Sequence, residues 1–274
     1  MSLNEIVTEM ILFYKRILKV LWLTARVNKT WRKILYREIR RYDAAPEHSF
    51  VKDFFGLKYQ GNLNNSIEAS IYFYGAFEKP LLFFLRDALN AGTNEKSMFI
   101  DIGANVGQHS LFASKFASKV VAFEPYSLVN ARFKSQIALN KISNIEIFEY
   151  GLSDLDETLR FFAPTGHNKG IGSFDEASQI KGNKEYGKLQ LRKGDNVVQD
   201  NNLQFIKLIK IDVEGFEKKV IKGLRATLKK ERPILVCEIT YGQRLSFLHL
   251  EELISYLPPD YDLFTFNTRN VDGS

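Results

Sequence analysis

Apolar residues recur at Leu3, Ile6, Met10, Phe13, Ile17 and Leu21, three or four positions apart, while Lys15, Arg16 and Lys19 gather on another arc. That is the helical period, so a helix is predicted over 3–24, followed by a second over 28–41. Pro46 closes this region, and the Phe55-Gly56 pair inside 50–60 marks a small hairpin. A further helix is read over 71–91 after the Tyr74-Gly75 punctuation. Beyond it the pattern changes. Apolar runs at 98–102, 119–123, 145–149, 207–212, 234–239 and 261–266 alternate with helical patterns at 107–117, 126–140, 215–229 and 244–256. This is the rhythm of βαβ units and predicts an α/β fold, a doubly wound and mainly parallel sheet with helices on both faces. The stretch 163–202 keeps no period, and a long irregular segment inside a compact domain is a functional loop or a disordered one. The organisation expected is a helical extension over 1–45 and one domain over 46–274.

Composition narrows the class. The 274 residues are 45% hydrophobic and 26% charged, which excludes disorder, collagen and a disulfide miniprotein. The lone Cys237 forms no internal disulfide and reads as a small buried hydrophobe. Charge is uneven: residues 1–42 hold ten Lys/Arg against three Asp/Glu, and the rest is almost neutral. A protein that grips nucleic acid carries its basic stripe on the folded domain, so a nucleic-acid partner is not expected. No run reaches about 18 uninterrupted apolar residues and no cleavable secretion signal is visible, which predicts a cytoplasmic protein. Two readings of residues 1–41, with Trp22 and Trp31, stand side by side: peripheral contact with an anionic membrane face, or packing on the main domain or on a second subunit of a homo-oligomer.

The chemistry concentrates at strand ends. The run Phe99-Ile100-Asp101-Ile102-Gly103-Ala104-Asn105-Val106-Gly107 is a strand entering a glycine turn and then a helix, where backbone comes close to a ligand and free N–H groups are presented. About 20 residues later the next strand ends in Glu124-Pro125, the spacing at which an acid accepts ribose hydroxyls. Dinucleotide sites need Gly-x-Gly-x-x-Gly, but the middle glycine position is Asn105 and Asp101 precedes the turn. A carboxylate there repels a pyrophosphate and suits the ammonium and sulfonium of S-adenosylmethionine. Asp212, Glu214 and Glu217 surround Gly215 at the end of another strand candidate, on the sheet edge where ligands bind. Glu238 closes an apolar run, where burying a carboxylate is costly unless it is paired or used. His167, Asn168, Lys169 and Ser173 are substrate candidates in the irregular stretch, though a solvated loop reads the same way. No His/Cys spacing resembles a zinc site.

Taken in order, Gly75-Ala76-Phe77-Glu78, the 99–107 turn, Ala122-Phe123-Glu124-Pro125, Gly151-Leu152-Ser153-Asp154, Ile211-Asp212-Val213-Glu214-Gly215-Phe216-Glu217 and Leu235-Val236-Cys237-Glu238-Ile239 resemble the FkbM-type methyltransferases of the class I S-adenosylmethionine-dependent superfamily. The resemblance runs over about 50–266 and not into 1–45. It implies a Rossmann-like sheet and methyl transfer, commonly to a hydroxyl of a sugar or a polyketide-type product, while the N-terminal charge suggests a second hypothesis, action at the cytoplasmic membrane face on a lipid-linked or nascent glycan. It implies that Asp101, Gly103, Ala104, Asn105 and Gly107 surround the methionine moiety, Glu124 and Pro125 take the ribose, Leu152 and Ser153 lie near the adenine, and Asp212 sits beside the reacting methyl. Asp212 is the first choice of base, with Glu238 and His167 behind it. Paired carboxylates such as Asp212 with Glu214 or Glu238 offer an alternative, a divalent cation that lowers the pKa of the hydroxyl. The chain departs from the superfamily in leaving little room for a seventh strand after 261–266. An NAD(P)-dependent oxidoreductase and a non-catalytic binding protein on the same fold are the rival functions.

Overall fold

The computed structural model describes residues 3–24, 29–42, 48–92, 96–165, 172–239, 241–242 and 244–266. They form two compact units, Met1–Phe77 with Pro164–Lys169, and Glu78–Ala163 with Gly170–Ser274. The division expected near residue 45 therefore moves: the hairpin and a helix after it group with the N-terminal helices.

The first unit holds α1 (Leu3–Thr24), α2 (Lys29–Tyr42), the hairpin strands β1 (Ser49–Phe54) and β2 (Leu57–Asn62), and α3 (Ser66–Tyr74). Phe55 and Gly56 both have positive φ, 53° and 87°, which a two-residue turn needs to match the twist of its strands. An aromatic cluster ties these elements together. Trp22 meets Tyr36 at 6.4 Å and His48 at 5.8 Å between ring centroids, and Tyr36 reaches Phe73 at 5.1 Å. The helix expected over 71–91 is broken. Gly75, at φ 89°, ends α3 in a left-handed cap, and a new helix starts after it.

In the second unit α4 (Lys79–Asn90) precedes β3 (Met98–Ile102), α5 (Gln108–Ala113), β4 (Lys119–Phe123), α6 (Ser127–Asn140) and β5 (Ile145–Phe148). After β6 (Gly151–Ser153), β7 (Glu157–Ala163) and β8 (Lys184–Lys193) come α7 (Gly194–Asp200), β9 (Ile206–Ile211), α8 (Glu217–Gly223), α9 (Arg225–Glu231), β10 (Ile234–Cys237) and α10 (Leu250–Tyr256). The main sheet runs β10-β9-β3-β4-β5, and its neighbours pair in parallel. Its strands are apolar on both faces. Ile100, Ile102, Val121, Phe123, Ile209 and Ile211 pack into one core, and Phe99, Val120 and Leu208 into another with Leu85 and Leu89 of α4.

Two expectations fail here. The apolar run 261–266 forms no strand: Tyr261 turns back to bond the Pro258 carbonyl, its hydroxyl caps the Pro233 carbonyl, and Phe264 lies in solvent. The segment proposed as a seventh-strand stub, 267–274, lies outside the described residues. The stretch 163–202 is not irregular throughout, because it contains β8, a 3-10 turn at Glu176–Lys181 and α7. β8 joins β6 and β7 in a second, three-stranded sheet. Its exposed positions include Lys184, Glu185, Lys188 and Gln190, which hides the strand from a search for apolar runs.

Candidate functional site

β3 is buried along its whole length and delivers the chain to Gly103 at the carboxyl edge of the sheet. Gly103 stands at φ 80°, and a Cβ there would lie 1.9 Å from the Asp212 carbonyl oxygen. Only glycine fits this approach. Asn105 is left-handed at φ 51°, and its Oδ1 accepts from the Val106 N–H at 2.8 Å. Gly107 is also left-handed, and a Cβ would strike the Phe133 ring at 2.0 Å. Ala104 is buried, its N–H bonded to the Phe123 carbonyl at 3.2 Å, so the turn is stitched to the end of β4.

Glu124 follows β4 and holds the other side of the turn. One carboxylate oxygen accepts from the Asn105 N–H at 2.9 Å and the other from the Tyr126 N–H at 2.8 Å. Burial pushes its pKa up to about 7, against the pull of those two donors. Pro125, half-buried, contacts the approach to β6: a Cβ on Gly151 would lie 3.6 Å from its ring. Leu152 and Ser153 themselves are buried in the three-stranded sheet, with the Ser153 hydroxyl donated to Glu157 at 2.6 Å.

A charged chain crosses the gap between β3 and β9. Asp101 and Lys210 are register partners on these neighbouring strands, so their side chains project on the same face. Asp101, fully buried, accepts from the Ser110 hydroxyl at 2.7 Å and from the Lys210 ammonium at 3.4 Å. The same ammonium lies 3.3 Å from Asp212, whose side chain keeps 26% of its exposure. Burial works against the Lys210 charge, but Asp101, Asp212 and Glu78 together outweigh it and raise the pKa. Glu78, left-handed at φ 48° before α4, sits 3.5 Å from the buried His109 Nε2. Two carboxylates, Asp101 and Asp212, thus share one lysine at the sheet edge.

The loop after β9 carries Glu214 and Gly215 in left-handed conformations, at φ 50° and 92°. Glu217 is buried behind it, accepting from the Gly215 N–H at 2.7 Å and the Ser246 hydroxyl at 2.8 Å, and burial raises its pKa. It braces the loop. Glu238 follows β10, an end strand of the sheet, and is half-buried, so the cost-of-burial argument for it lapses. Its N–H bonds the Ile211 carbonyl at 3.0 Å, which keeps its backbone beside the start of the Asp212 loop. His167, Asn168 and Lys169 lie outside the described residues. Ser173 exchanges both backbone bonds with Phe162, a structural bridge. Among the described residues no group of three or more His, Cys, Asp or Glu side chains is placed to hold a metal ion.

Sequence reasoning passed over Lys210, Ser110 and the Glu78–His109 pair. The signal for Lys210 was present: a cation between Ile209 and Ile211 in the otherwise apolar run Leu208–Ile211 demands a partner as a buried carboxylate does.

In open parallel sheets ligands bind beyond the carboxyl ends, at the point where strand order reverses. Here that point lies between β3 and β9, where Gly103 rests on the Asp212 carbonyl and Lys210 joins Asp101 to Asp212. Fold and site together define a doubly wound, Rossmann-like α/β domain. The sequence over residues 101–262 matches the Methyltransferase FkbM domain, and the chain belongs to that family. It is 27% identical over 147 residues to Methyltransferase 1 of Beauveria bassiana, covering 47% of this chain and 59% of that protein. It is 28% identical over 156 residues to Methyltransferase sdnD of Sordaria araneosa, covering 46% and 59%. The chain therefore spans about three-fifths of the length of these curated relatives. Among solved structures it is similar to a precorrin-6y C5,15-methyltransferase of Geobacter metallireducens, with 13% identity over 59% of this chain and 63% of that one and a TM-score of 0.36. A putative methyltransferase of Streptococcus mutans in complex with SAH gives 13% identity over 60% and 74%, with a TM-score of 0.34.

Proposed function

We propose that the chain is an S-adenosylmethionine-dependent methyltransferase acting on a hydroxyl oxygen, on a sugar, a glycan or a polyketide-type product. The observation that carries the reading is the excess of carboxylate at the sheet edge. Asp101 and Asp212 stand 3.4 Å and 3.3 Å from the single ammonium of Lys210, and this negative balance fits a ligand bearing an ammonium and a sulfonium. It does not fit a pyrophosphate. Each Glu124 oxygen accepts one backbone N–H and keeps a second lone pair, so the carboxylate still has capacity for a pair of ribose hydroxyls.

S-adenosylmethionine supplies an activated methyl group when bound. Asp212 would face its cationic end, with buried Asp101 adding negative charge behind it, and Glu124 would hold its ribose. The protein's own share is positioning and proton removal: the acceptor hydroxyl is aligned behind the methyl, and its proton passes to a carboxylate oxygen of Asp212. Asp212 suits this role because it is the partly exposed carboxylate of the Lys210 cluster, whereas Asp101 is sealed by Ser110 and Lys210. Lys210 keeps Asp212 in place from 3.3 Å without exposing a competing nucleophile.

Calorimetric titration of the full chain with S-adenosylmethionine and S-adenosylhomocysteine tests the cofactor. Micromolar binding is expected, weakened at least about tenfold in Glu124→Gln, since each lost hydrogen bond to a charged group contributes about 1.5–3 kcal/mol. The carboxylate is the form that accepts two hydroxyls, so affinity should climb as pH rises through about 7 and fall below it, and Glu124→Gln should remove that dependence. A folded sample that binds neither compound overturns the reading. Labelled-methyl transfer to hydroxyl and amine acceptors then tests the oxygen, with Asp212→Asn expected to slow turnover about 100-fold.

A further inference from the structure

We propose that α1, assisted by the exposed face of α2, docks in the plane of an anionic lipid surface. The proposal stands independently of the methyl-transfer reading. Ile6, Met10, Phe13, Ile17, Val20 and Leu21 follow one another at three-, four- and one-residue steps, and on a helix they form a single apolar stripe. Every one of them is exposed, Met10 and Phe13 to 66%. The packing of α1 uses a different part of it: Leu18 and Trp22, each 5% exposed, with Trp22 against Tyr36 and His48. So the buried contacts of this 22-residue helix are at its carboxyl end, and its apolar stripe is left facing solvent from Ile6 onward. Soluble proteins seldom expose apolar surface in contiguous runs without a partner for it.

Charge selects the partner. Arg16 borders the stripe, whereas half-buried Lys15 lies on the packed side with Leu18 and Trp22, and α2 adds exposed Arg37 and Arg40, all part of a segment with ten basic and three acidic residues. Two copies brought together through such a segment would repel, while an anionic bilayer attracts it at about 1 kcal/mol per Lys or Arg near the surface. α2 also presents Trp31, 58% exposed, an amphipathic ring of the kind that settles at headgroup depth. Among the described residues no helix is long and apolar enough to cross a membrane, which leaves α1 an in-plane geometry.

Co-sedimentation of the full chain with vesicles tests this. Binding is expected to vesicles of equal parts phosphatidylcholine and phosphatidylglycerol, and weakly or not at all to phosphatidylcholine alone. Met10→Glu with Phe13→Glu should abolish it, and Arg16→Gln with Arg37→Gln should weaken it about tenfold to thirtyfold. All four side chains are outside the packed core, so circular dichroism and cofactor titration should match the unaltered chain, which separates loss of docking from loss of fold. Equal binding to both vesicles, or unchanged binding by either variant, overturns the proposal. So does a concentration-dependent dimer, dissolved by Met10→Glu with Phe13→Glu, in a chain that ignores anionic vesicles: that outcome gives the stripe to a second copy.

Discussion

Helix α5 opens with Gln108, His109 and Ser110 and is buried from end to end, whereas α1 carries an apolar stripe and leaves it in solvent. The contrast inverts the usual rule that polar residues face out and apolar residues face in. Each inversion has a cost that something must offset. In α5 the offset is internal for Ser110: its hydroxyl serves Asp101 and Asp101 serves Lys210, so this polar group goes into the core already partnered. In α1 the offset is the proposed lipid surface, outside the chain. Polarity placed inside points to the candidate site, and apolarity left outside points to the proposed docking face.

The sharpest way to break the α5 side of this contrast is Lys210→Met. It leaves the carboxylates of Asp101 and Asp212 without their cation, and removing one member of a buried pair costs about 3–5 kcal/mol, read as a lower denaturant midpoint. Ser110→Ala is smaller. Asp101 keeps Lys210 and loses only the hydroxyl, so chemical denaturation should show a loss of about 1–3 kcal/mol. On the α1 side, Phe13→Gln in free solution should move stability by no more than about 0.5 kcal/mol, because the ring touches little in the isolated chain. A large loss there would mean that the stripe is already packed.

The same logic explains what could be read in advance. β3 and β4 fall on their predicted bounds because parallel strands covered on both faces are continuous apolar runs. Asp101, Glu124 and Asp212 were legible because they stand at the ends or exits of such runs. β7 and β8 were not, since a sheet with one solvated face alternates, and Lys188 and Gln190 interrupt the signal of Leu189 and Leu191. The 261–266 run misled for the opposite reason: it is apolar enough for a strand, yet the chain follows Pro258 and Pro259 and finds no partner strand among the described residues. Lys210 was hidden by scale, one charge whose meaning depends on a carboxylate 109 residues away.

That separation also sets an order of events during folding. β3 sits at the centre of the sheet between β4 and β9, and Asp212, whose carbonyl backs Gly103, arrives long after the turn it supports. Contacts so distant in sequence close slowly, because the loop between them must be ordered first. A nascent chain that has emitted the whole glycine turn still lacks the residue against which it is shaped. The turn therefore gains its Asp212 backing after its bonds to Phe123 and Glu124 can form, and a chain stalled or cut before residue 206 would carry the motif without that backing.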